Sequence, residues 1–195
     1  MTTTTNLNDL AKQIHENAKA KGFYDEPRNT GELFMLMVSE LGEALDADRK
    51  GKRANLPEFE ALKKLVAEGY NEGYAFNRGY ETHVKGSIEE EIADVTIRIL
   101  DFSAHQNINI DPNLFEPHGD FDISKDCNFG EELMDVNRWL CRAFYEDSID
   151  REPCLNAAVI LLINLSLVMG FDLIQHIELK MKYNATREHK HGKKY

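Results

Sequence analysis

A long stretch without a charged side chain constrains the fold of this chain more than any other feature. It runs over the 19 residues Pro153–Phe171 and includes AAVILLINLSLVMGF. A helix that is apolar on all sides must be covered on all sides, either by lipid or by other helices. Asn156, Asn164 and Ser166 interrupt the stretch, and neither an aromatic belt nor a positive flank follows it. These features favour a central helix buried in a helical bundle over a membrane span.

The rest of the sequence shows helical periodicity almost throughout. Apolar residues recur at spacings of three and four, whereas no alternating run is long enough to predict a sheet. A capping box, Ser87-Ile-Glu-Glu90, predicts the start of one long helix. After the segment 57–68 we predict a loop rich in Gly, Tyr and Asn, reaching to about residue 86. The predicted fold class is all-α, with helices at 7–21, 31–49, 57–68, 88–106, 130–147, 153–169 and 172–187.

The length of 195 residues predicts a single all-α domain over 1–195. Its first helical half is 1–106, and its second helical half, which ends in a basic helix and tail, is 129–195. The Pro-, Gly- and Asp-containing segment 107–128 is the predicted connector. Similar apolar patterns in the two halves are compatible with a degenerate internal duplication, although amphipathic helices also align in this way by chance.

Charge is unevenly distributed along the chain. The net charge is −11, but six basic residues and only one acidic residue follow from Lys180 onward. A negative surface disfavours a nucleic-acid polymer as a partner, because phosphate-backbone binding needs positive charge. An acidic body with a basic C-terminal end suggests a cation bound by the body and an anion bound by the end.

The expected location is the cytoplasm. The N-terminal MTTTTN has neither the basic nor the apolar region of a signal peptide. Cys127, Cys141 and Cys154 form no CxxC pair, and buried free thiols in a reducing compartment explain them best.

Two of the predicted helices place acidic residues within their apolar faces. One carries Glu40 inside the face and Glu43 at its edge, and the other carries Glu91 inside and Asp94 at its edge. Burying a lone carboxylate costs on the order of several kcal/mol unless the group is paired or binds a cation. An all-oxygen set without histidine suits Mg²⁺ or Mn²⁺ better than Zn²⁺.

An ordinary solvated helix face is the alternative interpretation of these acids. Arg98 has the spacing to pair with Asp94 and with Asp101 along its own helix, which would make a simple ion-pair row. Repetition of the same spacing on two helices, on the side that should be buried, favours the metal site.

The last predicted helix carries a second set of polar residues. Lys180, Asn184 and Arg187 are spaced four and three apart, so they share one face. A point charge, an amide and a bidentate fork together suit a phosphate group. The alternative is a basic last turn that interacts favourably with the helix dipole.

These motifs resemble those of a known superfamily. SELGEAL, with the first acidic pair, followed by EEEIADVTIRILD, with the second, resembles the ExxE…ExxD pattern of MazG-like nucleoside triphosphate pyrophosphohydrolases. That superfamily is all-α and includes dimeric dUTPases and dCTP pyrophosphatases. The C-terminal KMKYNATREHKHGKKY is similar to the Lys-x₃-Asn-x₂-Arg ending of some phage and bacterial members. The resemblance covers 31–105 and 170–195 well and 107–168 poorly.

The resemblance implies a function and a set of roles. Members hydrolyse an NTP or dNTP between the α and β phosphates, releasing the monophosphate and pyrophosphate. They usually assemble as dimers, so we expect a homo-oligomer, unless the second half of the chain supplies the partner helices. A non-catalytic nucleotide-binding or regulatory module on the same fold is the alternative function. By position, the Mg²⁺ (or substituting Mn²⁺) ligands are Glu40, Glu43, Glu91 and Asp94, and the triphosphate is bound by Lys180, Asn184 and Arg187. A carboxylate beside a metal-bound water can act as general base, and Glu40, the more buried of its pair, is the candidate.

Aromatic residues between 50 and 86 leave two interpretations open. Tyr70, Tyr74, Phe76 and Tyr80 belong either to a lid that stacks on a base or to a segment packed against the bundle.

Overall fold

The computed structural model describes residues 6–111, 128–146 and 148–192, and these residues form helices without any strand. The all-α class predicted from the sequence is therefore confirmed. Most of the predicted connector, together with Cys127, lies outside the described residues. The helices are α1 (Leu7–Ala20), α2 (Thr30–Arg49), α3 (Leu56–Ala67), α4 (Glu72–His83), α5 (Ile88–Gln106), α6 (Phe129–Tyr145), α7 (Ser148–Met169) and α8 (Leu173–Thr186), followed by a 3₁₀ turn, His189–Gly192.

Short polar side chains determine where most of these helices begin. The residue before the helix accepts a hydrogen bond from a backbone N–H of the first turn, which satisfies a donor that has no partner within the helix. Asn107 ends α5 in the left-handed conformation, with φ of 55°, which asparagine tolerates better than most residues. The capping residues of α1 to α5 are Asn6, Asn29, Asn55, Asn71 and Ser87.

Helix α7 contributes most of its length to the hydrophobic core. Its window Asp150–Met169 is long and apolar enough to cross a membrane, but 61% of it is buried inside the structure, as in the core helix of a soluble protein. The helix packs against α5 and α6. It begins at Ser148, earlier than the predicted Pro153. The apolar stretch that defines the sequence therefore corresponds to a buried helix.

The cysteines agree only in part with the expectation of burial. Cys154 is buried in α7, whereas Cys141 in α6 is exposed. Both are free thiols.

The loop predicted after residue 68 is wrong, because most of that segment is helix α4. Asn71 caps it by accepting a hydrogen bond from the backbone N–H of Tyr74 at 2.9 Å. Gly79 lets α4 approach α3, since a Cβ at that position would lie 3.0 Å from the ring of Phe59. The glycine that suggested a loop is thus a packing residue.

The α3–α4 hairpin has its own small aromatic core. The Tyr80 ring stacks on that of Tyr183 in α8, with 4.4 Å between centroids. Tyr70 and Tyr74 are exposed. Packing against the bundle is therefore the interpretation that holds for the buried aromatic residues of this segment. The cluster consists of Phe59, Phe76, Tyr80, Val84 and Tyr183.

Helices α2 and α5 run antiparallel. The ring of Phe34 packs 5.0 Å from that of Phe102, measured between centroids. Farther along, Arg98 of α5 contacts Glu40 of α2. Helix α1 also runs antiparallel to α5, because Asn8 bonds to the backbone of Ile110 while His15 lies beside Asp101. This arrangement places one face of α5 against both α1 and α2.

Truncation of Leu162 tests the role of α7 as the core helix. Leu162 is fully buried, whereas Leu167 in the same helix is 70% exposed. We expect Leu162→Ala to lower the free energy of unfolding by about 2–5 kcal/mol, because it leaves a cavity, and Leu167→Ala to change it by less than about 0.5 kcal/mol. Denaturant titration measures the free energy of unfolding of both variants. Equal losses in the two variants would contradict the burial of Leu162 in the core.

Candidate metal centre

A cavity of about 500 Å³ lies among α1, α2, α5 and α8. This volume is within the range of small-molecule binding sites. Seven carboxylate side chains and seven lysine or arginine side chains line the cavity, so its wall is charged but balanced. The structure brings together in this one cavity all the site residues predicted from the sequence, namely Glu40, Glu43, Glu91, Asp94, Lys180, Asn184 and Arg187.

Three of the predicted metal ligands converge. Glu40 of α2 and Glu91 and Asp94 of α5 each offer a carboxylate oxygen, and these atoms lie within 4.8 Å of one another. Glu40 and Glu91 are only 5% and 6% exposed. The fourth predicted ligand, Glu43, lines the cavity but is not part of this group, which we call the carboxylate triad.

Arg98 partly neutralises the triad from the α5 side. Its Nε and Nη2 lie 2.6 Å and 2.5 Å from the same oxygen, Oε1 of Glu40. The ion-pair row that the sequence suggested for Arg98, along its own helix, is therefore not what forms. Since two nitrogens hold one oxygen, the orientation of the Glu40 carboxylate is fixed by this contact.

Lys180 neutralises the other side of the triad. Its Nζ lies 2.5 Å from Oε1 of Glu90 and also pairs with Asp94. Burial alone would lower the pKa of Lys180, but the charges of Asp94 and Glu90 more than offset this effect and raise it. The ammonium predicted to bind phosphate is thus engaged by carboxylates in this structure.

Glu90 is a site residue that the sequence analysis missed. It is buried and accepts hydrogen bonds from the Tyr80 hydroxyl, at 3.0 Å, and from the backbone N–H of Gly86. Burial tends to raise its pKa, but Lys180 and these donors hold the pKa below its usual range. The capping box did identify Glu90, and the Ser87 half of the box is present, with the Glu90 N–H donating to Ser87 Oγ at 3.2 Å. The glutamate, however, turns towards Lys180.

Glu91 is the member of the triad that no cation neutralises directly. Within the described part of the chain it makes no ion pair of its own. Burial, followed by the negative charges of Glu90 and Asp94, raises its pKa to about 8, and Glu43 adds to this effect. Burial likewise raises the pKa of Asp94 to about 6, although Lys180 opposes this. At neutral pH the triad therefore retains a proton unless a metal cation takes its place.

Asn184 and Arg187 extend the cavity wall along α8. Oδ1 of Asn184 is buried and accepts no hydrogen bond from the described residues. The guanidinium of Arg187 lies 5.9 Å from the centroid of the Tyr183 ring and donates to the backbone oxygen of His191 at 3.5 Å. A polar ligand in the cavity would satisfy the buried amide.

The cavity extends along α5 from the triad towards Asp101. The antiparallel packing places Leu33 and Leu36 of α2 and Ile97 of α5 on this side of the triad, so the lining there combines apolar side chains with the charged Asp101. At 1.5 Å per residue, Ile97 lies roughly 9 Å and Asp101 roughly 15 Å along α5 from Glu91.

The comparisons with known proteins identified no relative of this chain. No protein-family model, no curated protein and no solved structure matches the chain. The MazG-like resemblance therefore depends on the motifs quoted above.

The donor set fits a hard divalent cation. The triad offers oxygen atoms only, which suits Mg²⁺ or Mn²⁺, and Glu91, which has no ion pair among the described residues, becomes a negatively charged ligand when it loses its proton. Arg98 and Lys180 would compete with a cation for Glu40 and Asp94.

We expect divalent cations to bind more tightly as the pH rises from 6 to 8. The reason is that the cation must displace a proton from Glu91, whose pKa is about 8. Calorimetric titration of Mn²⁺ in buffers of different ionisation enthalpy measures the protons released, and up to one per cation is expected near pH 7. Glu91→Gln should abolish both binding and release. Binding that is independent of pH would contradict the assigned role of Glu91.

Lys180→Met should destabilise the metal-free protein in a pH-dependent way. Lys180 depresses the pKa of Glu90, so its contribution to stability is present above the unfolded pKa of 4.5 and is lost as the pH falls. We expect a loss of about 3–5 kcal/mol at pH 7, because buried carboxylates lose their partner, and a smaller loss near pH 4. Lys182→Met, at an exposed position of α8, is the matched control. Equal losses at both pH values in denaturant titration would contradict this account.

Proposed function

We propose that this protein is a Mg²⁺-dependent nucleoside triphosphate pyrophosphohydrolase of the MazG-like superfamily. It would hydrolyse an NTP or dNTP between the α and β phosphates to give a monophosphate and pyrophosphate. The observation that carries the proposal is the carboxylate triad, which occupies the same cavity as the predicted phosphate-binding residues Lys180, Asn184 and Arg187.

The lining of the cavity favours a nucleotide over a small inorganic anion. A nucleotide joins a polyanion to a flat ring that is largely apolar on its faces, and the cavity joins the triad to a part lined by Leu33, Leu36 and Ile97. Ile97 lies roughly 9 Å along α5 from Glu91, and the cavity continues to Asp101, so an elongated ligand can contact both the triad and these apolar residues.

The acidic residues have the roles that the motif implies. Glu40, Glu43, Glu91 and Asp94 would hold Mg²⁺ or Mn²⁺, which neutralises phosphate oxygens and lowers the pKa of a bound water. Arg98 keeps the Glu40 carboxylate oriented through its two contacts with Oε1. Glu40 would accept the proton of the attacking water as general base.

The basic residues would act after an exchange of partners. With a cation held by the triad, Asp94 would no longer depend on Lys180, and the ammonium, still paired with Glu90, would have a donor free for a phosphate oxygen. Arg187 offers a bidentate fork, and Asn184 offers an amide NH₂ that can donate to a phosphate oxygen, while its buried Oδ1 accepts no hydrogen bond from the described residues.

A non-catalytic nucleotide-binding module is the second candidate. The observation that favours it is the internal neutralisation of the triad, since Arg98 and Lys180 already occupy Glu40 and Asp94. In such a module, nucleotide binds without metal and is not turned over.

The cellular context is also a proposal. We place the protein in the cytoplasm as a homo-oligomer that acts on free nucleotides and binds neither a nucleic-acid polymer nor a membrane. The net charge of −11 supports the exclusion of nucleic acid.

A hydrolysis panel tests the proposal. We expect the protein to convert at least one of the common NTPs and dNTPs, including dUTP, to monophosphate and pyrophosphate in Mg²⁺, and to be inactive in EDTA. Glu91→Gln and Glu40→Gln should each reduce kcat by at least about 100-fold, because each removes a metal ligand or base. Chromatographic separation of the products identifies which bond is cleaved.

Glu178→Gln is the matched control for these variants, because Glu178 lies exposed on α8 and does not line the cavity. It should retain full activity. Products consisting of diphosphate and phosphate would contradict the proposed bond cleavage. Tight binding of nucleotide without turnover, unchanged by EDTA, would favour the binding module.

A further inference from the structure

Arg28 is a partly buried cation that the proposed chemistry does not use. It lies in the segment between α1 and α2 and lines the cavity. Its Nη1 donates to the backbone oxygen of Phe23 at 3.3 Å. Its Nε and Nη2 are also buried, but they donate to no atom within the described part of the chain. Two unsatisfied guanidinium donors are costly to bury, which suggests that a ligand completes them.

Arg28 lies on the side of the cavity that contains Asp101. Its charge acts on Tyr24 and His105. Tyr24 in turn donates to Asp101 at 2.8 Å, which indicates that Arg28 lies near Asp101. Asp101 already holds Tyr24 and His15, so it does not supply the missing acceptor in this structure. Lys180 lies at the triad, whereas Arg187 reaches the neighbourhood of Arg28, because it donates to the backbone oxygen of His191, whose ring packs 5.0 Å from that of Phe23.

We propose that Arg28 determines base specificity by donating Nε–H and Nη2–H to two adjacent acceptors on one edge of the base. This inference rests on the proposed nucleotide-binding function of the cavity. The two nitrogens form one side of a planar fork, which matches two acceptors that lie side by side.

Only some bases have such an edge. Guanine presents O6 and N7 together, and cytosine presents O2 and N3 together. Adenine places a donor, the N6 amino group, beside N7, and uracil and thymine place the N3–H donor between their two carbonyl oxygens. Arg28 therefore favours guanine or cytosine, and it opposes adenine, uracil and thymine because one of its buried donors would meet another donor or remain unpaired.

Calorimetric titration with nucleoside monophosphates tests this inference without any turnover. We expect the native protein to bind GMP or CMP about 10- to 100-fold more tightly than AMP and UMP. Arg28→Gln should remove this preference. The 7-deaza analogue of GMP distinguishes the two favoured bases, because it lacks N7 and should lose affinity only if guanine is the ligand.

Two further variants serve as controls. Arg28→Lys keeps the charge but not the fork, so it should also lose the preference while it keeps the thermal unfolding midpoint. Arg138→Gln alters an arginine that is 68% exposed on α6 and should leave both affinity and preference unchanged.

Several outcomes would overturn the inference. Equal affinity of the native protein for all four bases would do so, as would an equal loss for all bases in Arg28→Gln, which would make Arg28 a phosphate contact. Hydrolysis of NTPs with no base preference would overturn it and leave the proposed function intact. Failure to bind or hydrolyse any nucleotide would overturn both.

Discussion

The burial of three carboxylates between α2 and α5 is the constraint on which the rest of the site depends. Glu40, Glu91 and Asp94 approach within 4.8 Å in a packed helical interface, where like charges repel strongly. Arg98 offsets the negative charge of Glu40, and Lys180 offsets that of Asp94. Glu91 has no such partner among the described residues, and its pKa is raised to about 8. A fold selected for stability alone would have an apolar residue at such a position. In the metal-free protein, Arg98 and Lys180 supply part of the neutralisation, and we propose that a cation would complete it.

The same pair of helices also explains the lining of the cavity. Because α2 and α5 run antiparallel, Leu33 and Leu36 of α2 and Ile97 of α5 lie on the same side of the triad, and the cavity extends past them to Asp101. Helices α6 and α7 cover the other side of this pair and supply the core, and none of their residues lines the cavity. The chain returns to the cavity in α8, which contributes Lys180. The α3–α4 hairpin positions Glu90 through Tyr80. The suggested internal duplication remains a prediction.

Much of this could be predicted from the sequence where local pattern decides the structure. Helical periodicity and capping residues predicted the fold class and most helix boundaries. The position of acidic residues within apolar helix faces predicted that Glu40, Glu91 and Asp94 would lie close together. The failures concern contacts between distant segments. The sequence shows that Arg98 can reach Asp94 but not that the packing of α2 offers Glu40 at 2.6 Å. In the sequence, Gly79 indicates a loop. In the structure it is a helix residue whose missing side chain makes room for the ring of Phe59. Arg28 has no local pattern at all, because its unsatisfied donors are a property of the folded chain.

A crystal structure of the protein with Mn²⁺, read from the anomalous scattering of the metal, tests the central claim most directly. The account predicts a Mn²⁺ ion bound by oxygen atoms of Glu40, Glu91 and Asp94, at distances of about 2.0–2.3 Å typical of hard divalent cations. It also predicts that the contact of Lys180 with Asp94 is broken or lengthened in that state. A structure at saturating Mn²⁺ in which the triad holds no metal, and in which Arg98 and Lys180 keep their present partners, would contradict it.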